Sequence, residues 1–120
     1  KRATGDRFAL ISGDDALILP MLSIGGTGVI SVIANIVPKL VTQMIQAYEK
    51  KNSKLAQKLY FRSLPLTQSM FIETNPIPVK TAMKLMGLIP EGSLRLPMCA
   101  LSSENLKVLK AALRAQHLIR

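Results

Sequence analysis

The sequence contains no tryptophan, one cysteine, one histidine and only 4% aromatic residues. Each scarcity excludes a class of chemistry. So few rings argue against a stacking platform for single-stranded nucleic acid. The lone Cys99 leaves no partner for an internal disulfide or for a CxxC metal or redox motif. The lone His117 excludes a multi-histidine metal site and argues against a Ser-His-Asp triad. No apolar run reaches the roughly 18 residues of a membrane span. The nearest, Ala16 to Ile24, is too short and meets Gly25-Gly26 at once. Acidic residues are few as well: seven Asp and Glu stand against sixteen Lys and Arg, a net charge of +9. Positive charge suits nucleic acid or anionic lipid. Only Lys50, Lys51, Lys54 and Lys58 cluster, however, and the rest scatter along the solvent faces of helices. A basic face equally suits an enzyme with anionic substrates. The opening Lys1 to Gly5 has no initiator Met and no apolar region behind it, so it reads as a cut within a longer gene product rather than a signal peptide.

What is present is a real core. The chain has 120 residues, 48% of them hydrophobic, enough for one domain of ordinary size. Phe8 to Ser12 is a short apolar run between the turn-like Thr4-Gly5-Asp6 and Gly13, which predicts a strand. Asp14 or Asp15 then caps a helix over Ala16 to Ile24. Gly25-Gly26-Thr27-Gly28 follows a helix and precedes a strand, the wrong order for a dinucleotide motif, so it reads as a turn. Gly28 to Val32 is β-branched and apolar on both faces. Apolar strands alternating with helices point to a covered parallel sheet.

From Pro38 onward the pattern is helical. Leu40, Val41, Met44, Ile45 and Tyr48 form one stripe, Lys50 to Ser53 breaks it, and Ser53 is the expected cap of a helix over Lys54 to Glu73. Pro65 is expected to kink or divide that helix. Asn75-Pro76-Ile77-Pro78 reads as an extended turn. Val79, Ala82, Met83 and Met86 stripe a short helix ended by Gly87. Gly92 to Leu101 is irregular, with Cys99 expected to be a buried structural thiol. Ser102 or Ser103 caps a last helix on which Leu106, Leu109 and Leu113 share a face and His117 lies at the surface.

Two parallel strands cannot stand alone, because their edges expose unpaired backbone groups. The chain therefore reads as the C-terminal end of a larger α/β fold followed by a helical tail. In an eight-stranded parallel barrel, working residues lie at the C-terminal ends of strands. That directs attention to Gly13-Asp14-Asp15 and to Ile30 through Asn35. A glycine at a strand end admits a ligand close to the backbone; the plainer reading, favoured by spacing alone, is a turn glycine and a helix cap. Asn75, held before two prolines, is equally a plain turn residue or a polar contact.

The segments Ser12 to Ala16, Gly25 to Val32 with Ala34-Asn35, Phe71 to Lys80, Met86 to Leu88 and Leu94 to Pro97 closely resemble dihydrodipicolinate synthases over essentially the whole chain. That resemblance implies the last two strands and helices of a (β/α)8 TIM barrel over residues 1–51, then an all-helical C-terminal domain over 52–120. It implies condensation of pyruvate with L-aspartate 4-semialdehyde, in lysine and diaminopimelate biosynthesis, through a Schiff base on a barrel lysine, with no metal or organic cofactor. Ile30 matches a position whose backbone lines the pyruvate site. Gly13, with Asp14 and Asp15 nearby, matches the turn beside the aldehyde. Asn75 matches an asparagine facing that cleft. None of these does covalent chemistry, and no catalytic residue is expected in the chain. Lys1-Arg2-Ala3-Thr4-Gly5 resembles the family's reactive-lysine motif, but Lys1 to Phe8 is too short for a crossover helix with its loops, at least about 10–12 residues. Lys1 is therefore expected near the end of the preceding helix, and the reactive lysine in a missing N-terminal part. Tyr48 and Tyr60 do not match the relay tyrosine. The expected partners are the two substrates, the remaining barrel and other copies in a cytoplasmic homotetramer, with neither nucleic acid nor membrane. The alternatives are another Schiff-base aldolase of the superfamily, such as an N-acetylneuraminate lyase-like enzyme, or a small basic helical binding protein.

Overall fold

The computed structural model describes residues 2, 3, 5 and 7–120. The positions expected for Lys1, and for Thr4 and Asp6 in a turn, lie outside the described residues. The elements are β1 (Ile11–Ser12), a 3-10 turn (Asp15–Leu17) running into α1 (Ile18–Ser23), β2 (Gly28–Val29), a second 3-10 turn (Ile33–Asn35), α2 (Pro38–Glu49), α3 (Ser53–Ser69), α4 (Ile77–Leu85) and α5 (Ser103–Ala115). The chain divides into two compact units, Lys1–Leu64 and Pro65–Arg120. The boundary expected at 51/52 falls in the turn between α2 and α3, whereas the units part within α3, at Pro65.

In the first unit β1 and β2 pair in parallel, Ile11 opposite Gly28 and Ser12 opposite Val29. Both strands are shorter than their apolar runs. Among the described residues the sheet holds two strands, and the side chains of Phe8 and Ile11 are 57% and 48% exposed. α1 packs on α2, and Ile18 and Leu22 of the one and Leu40, Val41, Met44 and Ala47 of the other are all buried. The expected α2 stripe is correct at Leu40, Val41 and Met44; Ala47 completes it, and Ile45 and Tyr48 are only half-buried.

The tyrosines fasten α1 near its end and the 3-10 turn that leads into it. The Tyr48 hydroxyl donates to the Leu22 carbonyl at 3.1 Å, and the Tyr60 hydroxyl donates to the Ala16 carbonyl at 2.7 Å. The cap of α3 is Asn52 rather than Ser53: its side-chain oxygen accepts the Leu55 N–H at 3.1 Å. Asparagine is as good a cap as serine, so adjacent Asn and Ser compete for the role.

Pro65 does not divide α3, which runs unbroken to Ser69. It sits on the exposed face, where the carbonyl that loses its partner reaches water. The helix stops short of Glu73, which lies in the following turn. α4 begins at Ile77 instead of Val79, with Pro78 in its first turn, where a missing N–H costs nothing. In the second unit α4 packs on α5, burying Ile77, Val79 and Ala82 with Leu109 and Leu113. Fully burying a leucine contributes about 1.5–3 kcal/mol. Ser102 caps α5, accepting the Asn105 N–H at 3.3 Å. Glu73 reinforces that end: Oε1 accepts the Ser102 N–H at 3.0 Å and the Asn105 side-chain amide at 2.8 Å. These bonds, the Asn105 amide first, hold the Glu73 carboxyl below its ordinary pKa.

Cys99 is exposed, contrary to expectation. Its segment forms neither helix nor strand, so no regular face turns its apolar residues inward; Leu96 is 92% exposed.

α1, α2, α4 and α5 all end in the same way. The residue after the cap turns left-handed, at Gly25, Lys51, Gly87 and His117, and its N–H and the next one reach back to the last turn. In α5 these are His117 N–H to the Arg114 carbonyl at 2.9 Å and Leu118 N–H to the Leu113 carbonyl at 3.0 Å. His117 is thus a closing residue beyond α5 rather than a member of it.

Candidate active site

The C-terminal ends of β1 and β2 lie level. The Ile30 N–H donates to the Ser12 carbonyl at 2.8 Å, carrying the ladder one bond past β2. The segments after the two strands therefore leave the sheet side by side.

Ser12, 2% exposed, sets the first of them. Its hydroxyl donates to the Asp14 carbonyl at 2.8 Å and accepts the Asp14 N–H at 3.2 Å, closing the turn at Gly13. Asp14 is extended, and its carboxylate accepts the Ala16 N–H at 2.7 Å. This is the cap foreseen for Asp14 or Asp15, and it belongs to Asp14. Asp15 points elsewhere. It is 1% exposed, and Oδ2 accepts two backbone N–H groups from the other segment, Val32 at 2.9 Å and Ile33 at 3.0 Å. Oδ1 is buried with no hydrogen-bond partner among the described residues. The second segment is braced from within: Ser31 Oγ accepts the Ala34 N–H at 2.9 Å, and the Asn35 amide donates to the Val32 carbonyl at 2.9 Å.

The structure thus brings Gly13, Asp14 and Ile30 to one end of the strand pair. Gly13 is exposed, and a Cβ there would meet nothing within 4 Å, so the backbone is approachable. Ile30 is 75% exposed. Asn75 belongs to the second unit, exposed in the turn before α4. Sequence reasoning missed the roles of Ser12 and Asp15. The one signal was the doubled acid after a strand: a single carboxylate suffices for the cap, which leaves the other for a different partner. A cavity of about 590 Å³, lined in part by Leu22, Thr27, Tyr48 and Lys51, opens at the opposite end of the strands. Among the described residues no cluster of three His, Cys, Asp or Glu could hold a metal ion, and no helix is long and apolar enough to cross a membrane.

This arrangement has known counterparts. The sequence matches the Dihydrodipicolinate synthetase family over residues 1–116. The chain belongs to that family. It is similar to the 4-hydroxy-tetrahydrodipicolinate synthase of Clostridium tetani, with 53% identity over 115 residues, 96% of this chain and 39% of the relative. Among solved structures, dihydrodipicolinate synthase from Thermotoga maritima superimposes with a TM-score of 0.93 and 38% identity, covering 99% of this chain and 40% of that one. The chloride-inhibited dihydrodipicolinate synthase of Acinetobacter baumannii, crystallised with pyruvate, gives 0.91 and 36% over 98% of this chain and 40% of that one. The chain thus spans about two fifths of the length of the synthases it matches. These relatives support neither the aldolase alternative nor the basic binding-protein alternative.

Proposed function

We propose that the chain is the C-terminal part of a 4-hydroxy-tetrahydrodipicolinate synthase: the last two strand–helix units of a barrel over 1–51, then a helical domain over 52–120. The complete protein condenses pyruvate with L-aspartate 4-semialdehyde on the route to lysine and diaminopimelate, in the cytoplasm and as a tetramer. The observation that carries this reading is the 53% identity to the Clostridium tetani synthase across 96% of the chain. The two-stranded parallel pair agrees with it, because two such strands do not make a sheet that stands alone.

In this reading pyruvate is held as an imine on a lysine outside these 120 residues. The iminium withdraws electrons, so the methyl group loses a proton and the resulting enamine carbon attacks the aldehyde. The new carbon–carbon bond forms as the aldehyde oxygen takes up a proton. This chain supplies binding and orientation. The Ile30 backbone borders the pyruvate end, Gly13 and Asp14 border the aldehyde end, and Asn75 is a further polar contact for substrate. The test is a steady-state assay of the complete protein with pyruvate and either aspartate semialdehyde or sugar-acid aldehydes, together with borohydride trapping of labelled pyruvate. Turnover of aspartate semialdehyde and a label outside residues 1–120 are expected. Preference for sugar-acid aldehydes would overturn the substrate assignment, and a label on Lys1 would overturn the placement of the reactive amine.

A further inference from the structure

Asp15 is the one buried carboxylate among the described residues, and neither the cap nor the substrate contacts proposed above use it. Its two ends are anchored very differently. Its backbone lies at the start of the 3-10 turn that runs into α1, beside Ile18, 1% exposed, and below the Ala16 carbonyl held by Tyr60. Its carboxylate reaches across 17 and 18 positions of sequence to the N–H groups of Val32 and Ile33. The segment it grips runs from the surface into the core: Ile30 is 75% exposed, Ser31 and Val32 are partly covered, and Ile33 is fully buried. The carboxylate therefore ties the point where this segment enters the core to the start of the other segment, just behind the exposed Ile30.

We propose that Asp15 is a positioning residue for the pyruvate end of the site: it fixes the Ile30–Ile33 backbone in register with the strand ends and acts on substrate only through that backbone. This rests on the reading of Ile30 as a border of the pyruvate site. Removing the carboxylate leaves two N–H groups without their acceptor, one of them buried, and takes away the side-chain tie between the segments, leaving Ile30 held to β1 by its single bond to Ser12. A displacement of about 1 Å at a reacting centre costs up to about 100-fold in rate.

The test uses the complete protein and three forms: wild type, Asp15→Ala and Asp15→Asn. Asparagine keeps one side-chain oxygen able to accept both N–H groups at nearly the same volume. The first readout is amide hydrogen exchange at Val32 and Ile33, which needs no activity. Exchange is expected to be slow in wild type and in Asp15→Asn and fast in Asp15→Ala. The second readout is kinetic. In Asp15→Ala, kcat/KM for pyruvate is expected to fall about 10- to 100-fold, more than kcat/KM for the aldehyde, with Asp15→Asn restoring most of it. Equal losses toward both substrates, or a lowered melting temperature with unchanged kcat/KM, would overturn the proposal. So would Asp15→Asn behaving like Asp15→Ala in exchange. If Asp15→Ala does not fold, Asp15→Asn decides: protected amides with near wild-type pyruvate kinetics support the proposal, and unprotected amides sink it. A wild type that never turns over pyruvate would refute the proposed function, while the exchange data would still decide whether Asp15 holds the segment.

Discussion

The Tyr60 hydroxyl donates to the Ala16 carbonyl at 2.7 Å, joining α3 to the 3-10 turn that leads into α1 across 44 positions of sequence. Tyr60 thereby secures the backbone next to Asp15 from outside. Replacing Tyr60 by Phe removes the donor and keeps the ring. It is expected to cost about 1 kcal/mol, read as faster hydrogen exchange of the α1 amides, with little change in α5.

Gly26 is a position where a side chain has no room. A Cβ there would stand 2.5 Å from the Met21 carbonyl oxygen and 2.8 Å from its carbon. Those atoms cannot withdraw freely, because the Gly26 N–H is bonded to that oxygen at 2.7 Å. Gly26→Ala is expected to destabilise the protein by about 1–3 kcal/mol, seen as a lower urea midpoint. Gly13→Ala, which meets open space, is expected to leave the midpoint nearly unchanged.

Glu73 gives the second unit an acid-sensitive joint. Its folded pKa lies below the ordinary value because the Asn105 amide and the Ser102 N–H bind the ionised form. A group depressed on folding contributes stability above its unfolded pKa, near about 4.3 for glutamate. That contribution is lost as pH falls through the lower folded value. Between pH 7 and 5, therefore, the start of α5 is expected to hold steady and to loosen only under stronger acid. Glu73→Gln is expected to remove this part of the pH dependence, checked by exchange of the Ser102 and Asn105 amides across an acid series.

His117 closes α5 from a left-handed conformation, φ 55°. That conformation costs a side-chain-bearing residue about 1–2 kcal/mol, and glycine is free of it. His117→Gly is expected to strengthen the C-terminal closure of α5 by up to about 1 kcal/mol, and His117→Val to weaken it. Protection of the Leu118 amide is the measurement.

Much of the architecture was legible because it rests on short-range patterns. The stripe from Leu40 to Met44, the Ser102 cap and Gly87 as a stop are local matters, decided within one helical turn. The parallel pairing followed from two apolar runs bracketing one helix. What escaped was decided at a distance. Asp14 and Asp15 are chemically identical neighbours, and only the approach of Val32 and Ile33 assigns them different work. Cys99 sits among residues whose apolar character promised burial, yet burial needs a regular face or a covering element, and composition specifies neither. Phe8 to Ser12 has the character of a five-residue strand, but the strand itself is Ile11 and Ser12, opposite Gly28 and Val29, with the Leu10 carbonyl accepting the Thr27 N–H just ahead of it. That Gly13 and Ile30 follow the two strands at one end of the pair was legible from the apolar runs; nothing in those runs hinted that a side chain one position past the cap would bond the two segments together.

The closure of α1 has a mechanical consequence for the sheet. Gly26 is pinned by its amide to Met21, and two residues later Gly28 must stand opposite Ile11. The spacer between helix end and strand start therefore acts as a ruler of fixed length. Inserting a single amino acid between Gly26 and Gly28 would slide β2 by one step and turn Val29 to the other side of the pleat, so the tolerance of this connection to length change should be close to nil.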